Sequence, residues 1–111
     1  MKDIIDKSVL AMLTESVGDD FVGELIDTFI EEAPGMFEEM KQALTACDAD
    51  RFRRAAHSLK TNANTFGATE LAEKAKKLEY MARENDLDIG NRLRILEEEY
   101  QVAVKELKKL Q

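Results

Sequence analysis

The sequence predicts an all-α protein: an up-and-down antiparallel four-helix bundle with one or two short additional N-terminal helices, in a single domain over residues 1–111. Three observations predict it. Apolar residues recur at three- and four-residue spacing almost throughout, the period of a helix with one buried face. Glu, Lys, Leu and Ala are abundant, with only 5 Gly and 1 Pro to interrupt helices. The stretches between periodic segments are short, which favours antiparallel neighbours. A chain of this size buries about 65% of the surface its unfolded form exposes, enough for one core and little room for an internal cleft.

A short first helix is expected over about 6–16, with Val9, Leu10 and Leu13 on one side. The run VGDD breaks it, and Asp19 or Asp20 is placed to cap the next helix. That second helix, about 20–33, carries Val22, Leu25, Ile26, Phe29 and Ile30 on a wide stripe. Pro34 fits the first turn of a third helix, where its missing N–H costs nothing. Phe37, Met40 and Leu44 face inward on it, and CDAD ends it, with Asp48 or Asp50 capping the fourth. The fourth helix, about 50–66, buries Phe52, Ala55, Ala56, Leu59, Ala63 and Phe66. Gly67 suits its end, because glycine takes left-handed angles freely. A fifth helix, about 68–84, presents Leu71, Ala75, Leu78 and Ala82, and the loop ENDLDIGN follows. The last helix, about 88–109, carries Leu93, Leu96, Tyr100, Val104 and Leu107. The four longer helices close the core.

Composition narrows the function. The single cysteine, Cys47, leaves no internal disulfide and no cysteine-based metal cluster, and fits a reducing compartment. No apolar run approaches the roughly 18 residues that span a bilayer, and the start MKDIIDKSVL has no signal-peptide pattern. A cytoplasmic protein without a membrane or metal site is expected. The net charge of −7 argues against nucleic acid as a partner. The charge is uneven, however. Between residues 51 and 77 seven bases (Arg51, Arg53, Arg54, Lys60, Lys74, Lys76, Lys77) stand against Glu70 and Glu73. Such a local patch suits an anionic group or an acidic protein surface; a solvated basic face is the plainer account.

The only histidine lies in that region, in RRAAHSLKTNANTFGA, residues 53–68. At about 100° per residue, His57 sits about 200° from the core residue Leu59 and points to solvent. Its face is shared with Arg53, Lys60, Thr61 and Asn64, all polar. Thr61, Asn62, Asn64 and Thr65 are mediocre helix formers where Ala, Glu or Lys would serve stability better. A free imidazole titrates near about 6.5, so much of it is neutral and nucleophilic in the cytoplasm. Its nitrogen can attack phosphorus and form phosphohistidine. Lys60, one turn on, can neutralise part of the added charge, with Arg53 or Arg54 from the other side. A lone surface histidine with no role is the competing account. Metal binding lacks a second ligand, Ser58 diverges from His57 on a helix, and no phosphate-binding glycine motif for ATP is present.

The stretch HSLKTNANTFGATELAEKAKKLE, residues 57–79, resembles the histidine-containing phosphotransfer (HPt) domain family. The pattern is His57, Leu59, Lys60, then Phe66-Gly67-Ala68, Leu71 and Leu78-Glu79, and the flanking helices extend the likeness over nearly the whole chain. The resemblance implies a carrier that relays a phosphoryl group between receiver-domain aspartates of response regulators or hybrid kinases, without kinase or ATPase activity of its own. It implies His57 as phosphoacceptor, Lys60 as the cation that steadies the charge, and Glu79 as the residue that orients the imidazole. The chain itself needs no cofactor; Mg²⁺ would come with the partner receiver. Thr61 departs from the glycine often found after the lysine, which bears on how closely a partner docks. Val9 and Leu13, with Arg53, Thr61 and Asn64, are the expected docking residues, and a monomer is expected. Two other readings remain: a binding or dimerisation module through the last helix, and the excised phosphoacceptor domain of a chemotaxis-type kinase.

Overall fold

The computed structural model describes residues 3–111. Five helices follow in order: α1 Lys7–Val17, α2 Asp19–Thr45, α3 Ala49–Thr65, α4 Thr69–Arg83 and α5 Arg92–Leu110. Among the described residues there is no strand. α2 packs on α3, α3 most extensively on α4, α4 on α5, and α5 returns to α2. This closes an antiparallel four-helix bundle, and α1 lies across α2 and α3 as the extra N-terminal helix.

The core follows most of the predicted inward faces, but Leu25, Ile30 and Leu44 are only partly buried and Ile5 joins it from before α1. Phe29, Phe52, Ile26, Met40, Leu59, Leu71, Leu78, Leu96 and Leu107 are the large side chains that are fully buried. Four aromatic rings meet near the centre. Phe29 stacks on Phe66 with ring centroids 5.4 Å apart and meets Tyr100 edge-on at 5.8 Å, while Phe37 lies 5.3 Å from Tyr100. These separations are typical of favourable aromatic pairs.

The expected break at Pro34 does not occur. The predicted second and third helices are one helix of 27 residues, with Pro34 inside it. Proline removes one N–H and so leaves the carbonyl four residues earlier, that of Ile30, without its helical partner. The Tyr100 hydroxyl of α5 donates to that carbonyl at 3.2 Å. A side chain distant in sequence thus satisfies the acceptor that proline strands, and the helix continues.

Capping corrects two further expectations. Gly18, at φ +92°, occupies the position before α2, and no side chain caps it; Asp19 and Asp20 instead sit in the first turn, where their charge complements the helix dipole. α5 begins at Arg92 rather than near 88, after Gly90 turns the chain at φ +60°. Asp48 does cap α3, accepting from the Arg51 N–H at 3.1 Å. Asp6 caps α1 through the Ser8 N–H at 3.0 Å.

The α3–α4 corner is held from outside. Gly67 takes φ +77° and is buried. Its carbonyl accepts from the Asp6 N–H at 2.7 Å, so the segment leading into α1 is tied to the corner.

Candidate functional site

His57 lies on the solvent side of α3, with 54% of its side chain exposed. Opposite it, α4 places Glu79, the only buried charged residue among those described, at 3% exposure. The pairing follows from the α3–α4 contact: Leu59 and Leu78 fill the core, and their neighbours His57 and Glu79 meet at its edge. His57 Nδ1 is 2.6 Å from Glu79 Oε2. Lys60, one turn along α3, donates from Nζ to Glu79 Oε1 at 2.7 Å. Each carboxylate oxygen therefore has a nitrogen partner.

The arrangement fixes the ring chemically. An ionised carboxylate only accepts hydrogen bonds. In the neutral imidazole the hydrogen between His57 and Glu79 therefore sits on Nδ1, and Nε2 keeps its lone pair. Burial alone would raise the Glu79 carboxyl, but the hydrogen bonds from Lys60 and His57 outweigh it and hold the group below the ordinary value of 4.5. The site thus consists of a half-exposed imidazole, one oriented nitrogen and a cation kept close by the same buried carboxylate.

A family model described as the Hpt domain matches residues 24–108. The chain belongs to the Hpt domain family. It is a histidine phosphotransfer protein of a phosphorelay. Among similar proteins, "Phosphorelay protein LuxU" of Vibrio cholerae serotype O1 (strain ATCC 39315 / El Tor Inaba N16961) is 24% identical over 106 residues, covering 91% of this chain and 94% of its own. "Phosphorelay protein LuxU" of Vibrio vulnificus (strain YJ016) is 27% identical over 84 residues, covering 76% of this chain and 73% of its own. The crystal structure of histidine-containing phosphotransfer protein B (HptB) from Pseudomonas aeruginosa PAO1 superposes with a TM-score of 0.88 at 30% identity, over 98% of this chain and 95% of that one.

This Hpt domain brings His57, Lys60 and Glu79 together, as the sequence pattern predicts. Thr61 and Asn64 are exposed on the same helix. Arg53 is partly turned away: its guanidinium is 2.8 Å from Asp50, one turn earlier. Val9 and Leu13 are half-buried; Leu13 packs against the core, and Val9 lies over the Gly67 corner. The apolar side chains that α1 and the start of α2 leave exposed are Met12 at 68% and Phe21 at 48%, with Val17 beside them in sequence. Sequence reasoning also missed Arg83. Its Nη2 is 3.5 Å from Glu79 Oε2, and the four-residue spacing on α4 was the available signal. Among the described residues no group of three or more His, Cys, Asp or Glu is placed to hold a metal. No described helix is long and apolar enough to cross a membrane.

Glu79→Gln tests the triad. One amide oxygen cannot serve both His57 and Lys60 as two carboxylate oxygens do. The variant should lose about 1–2 kcal/mol at pH 7, less than for a fully buried pair because His57 and Lys60 retain water. A carboxyl lowered in the folded state contributes stability above its unfolded value, and loses it as pH falls through the folded one. Urea unfolding from pH 7 to pH 3 should therefore show a shallower acid decline in Glu79→Gln than in wild type. Asp6, Glu39 and Asp50, held low by hydrogen bonds from Ser8, Arg51 and Arg53, leave part of that decline in both proteins.

Proposed function

We propose that this Hpt domain carries its phosphoryl group on Nε2 of His57 and exchanges it with aspartates of receiver domains in response regulators or hybrid kinases. The observation that carries this reading is the half-exposed ring whose other nitrogen is held by the buried Glu79. In the forward step Nε2 attacks phosphorus in line, the N–P bond forms, and the bond from phosphorus to the partner's carboxylate oxygen breaks. The ring becomes cationic as the bond forms, and Glu79 stabilises it through the Nδ1 hydrogen. The reverse step returns the group to an aspartate. Charge on the phosphoryl oxygens is met by Mg²⁺ that the receiver brings and by Lys60, whose ammonium has hydrogens beyond the one given to Glu79.

No nucleotide-binding motif supports kinase or ATPase action by this chain, and the reading is a carrier. It works as a monomer in the cytoplasm. Thr61 and Asn64 on the His57 face, with Arg53 at its rim, form the polar part of the docking surface. Val9 and Leu13 serve it as the half-buried floor from which Met12 projects on α1. A transient encounter of this kind needs only a small interface.

Incubation with a phosphorylated receiver domain tests the proposal: label should pass to this protein, stable in base and labile in acid. Absence of transfer from every receiver tried would leave a helical binding module instead. Lys60→Ala should slow transfer by about tenfold, or shorten the phosphoryl lifetime by a like factor, with the helical content retained. Wild-type values for both rate and lifetime would make Lys60 only a partner of Glu79.

A further inference from the structure

On the far side of α4 from the site, Lys74, Lys77, Arg92 and Ile95 line a notch of about 170 Å³ between α4 and α5. We propose that this notch is a second docking site, which takes an acidic segment of a partner protein carrying an apolar residue beside its carboxylates.

Charge is the first ground. The protein has a net charge of −7, yet three cations converge on one small notch. Lys74 is answered by Glu99 at 2.7 Å and by Glu70 at 3.8 Å. Lys77 and Arg92 have no carboxylate partner among the described residues, and the Arg92 side chain donates only to the Ile89 carbonyl, at 3.2 Å. Two uncompensated cations beside a third attract an acidic group and have none of their own.

Shape is the second. Ile95 is 37% exposed at the notch, and Val102 is 39% exposed two turns further along α5. Seven residues bring a helix round to within about 20° of the same line, so the two side chains form an apolar strip about 10 Å long. The notch is smaller than the roughly 300 Å³ at which small-molecule sites begin. It has room for a side-chain group rather than a nucleotide, and the strip beyond it fits a length of polypeptide.

Position is the third. Lys77 precedes Glu79 by two residues and so lies about 200° round α4 from it. The notch opens away from α3 and His57, and both faces can be occupied together. The contact would hold a partner to the carrier while the receiver exchanges its phosphoryl group.

The test is an NMR titration of the ¹⁵N-labelled full chain with a short synthetic peptide alternating glutamate and leucine, at low salt. Amide shifts are expected at Lys77, Arg92, Ile95 and Val102, with none from the same peptide carrying glutamine for glutamate. Lys77→Glu combined with Arg92→Glu should weaken binding by about tenfold, as two reversed rim charges would. Phosphoryl transfer through His57 should stay at the wild-type rate in that variant. Three results would overturn the proposal. They are no shift at these four residues, equal shifts with inorganic phosphate (a bare anion site), and shifts that follow protein concentration without peptide (pairing of two copies).

Discussion

His57→Gln is expected to abolish acid-labile phosphorylation, a loss of at least about a thousandfold, because no second nucleophile stands in its place. The chain has no other histidine. The ring is more than half exposed and contributes little to the core, so its loss costs little packing. The glutamine amide can still donate a hydrogen bond toward Glu79 and keep that buried carboxylate partnered. The melting temperature should therefore move by no more than a few degrees, and circular dichroism should be unchanged. Labelling by a phosphorylated receiver reads the first quantity and thermal unfolding the second. Persistent acid-labile label on the variant would reject His57 as the acceptor.

Gly67→Val is expected to have the largest effect on stability, about 3 kcal/mol or more. Two costs combine. A non-glycine residue at left-handed φ costs about 1–2 kcal/mol, and more if β-branched. A Cβ at position 67 would also stand 2.6 Å from the Asp6 carbonyl oxygen and 3.3 Å from Val9 Cβ. The Asp6 backbone must then move, which breaks its 2.7 Å bond to the Gly67 carbonyl, worth about 1 kcal/mol. At about 4–8 °C per kcal/mol, the melting temperature should fall by roughly 12–24 °C. Gly90→Ala is the control. Gly90 is left-handed too, at φ +60°, but nothing lies within 4 Å of its added Cβ, so only the backbone strain of about 1–2 kcal/mol remains. Equal melting temperatures for the two variants would contradict the close approach at Gly67.

The Gly67 prediction also marks where sequence stops being informative. A left-handed glycine after a periodic apolar segment is a local signal, and it was legible. So were the inward faces of the helices and the outward turn of His57, because both follow from 3.6-residue periodicity. What the periodicity could not carry was the partner across space. The Asp6 backbone over Gly67 comes from another helix's approach, and no local rule places it there. Pro34 failed for the same reason. Its local tendency is to break a helix, and the hydroxyl that offsets this sits on Tyr100. The Glu79 position was readable through the family pattern, but its burial was not. Nor was its shared use by His57 and Lys60, which turns Lys60 from a free cation into a tethered one. Val9 and Leu13 were read from one helical face without knowing that α1 lies down on the bundle with that face inward.

The unbroken α2 has a mechanical consequence. Twenty-seven residues at about 1.5 Å each make a strut of about 40 Å, close to the molecule's longest dimension of 41 Å. Had Pro34 acted as a joint, pressure on the Phe21 end would be absorbed at mid-length. The Tyr100 hydroxyl takes up the Ile30 carbonyl at that point, and the helix runs on without interruption. A receiver that docks as proposed would meet one continuous helix there rather than two jointed ones.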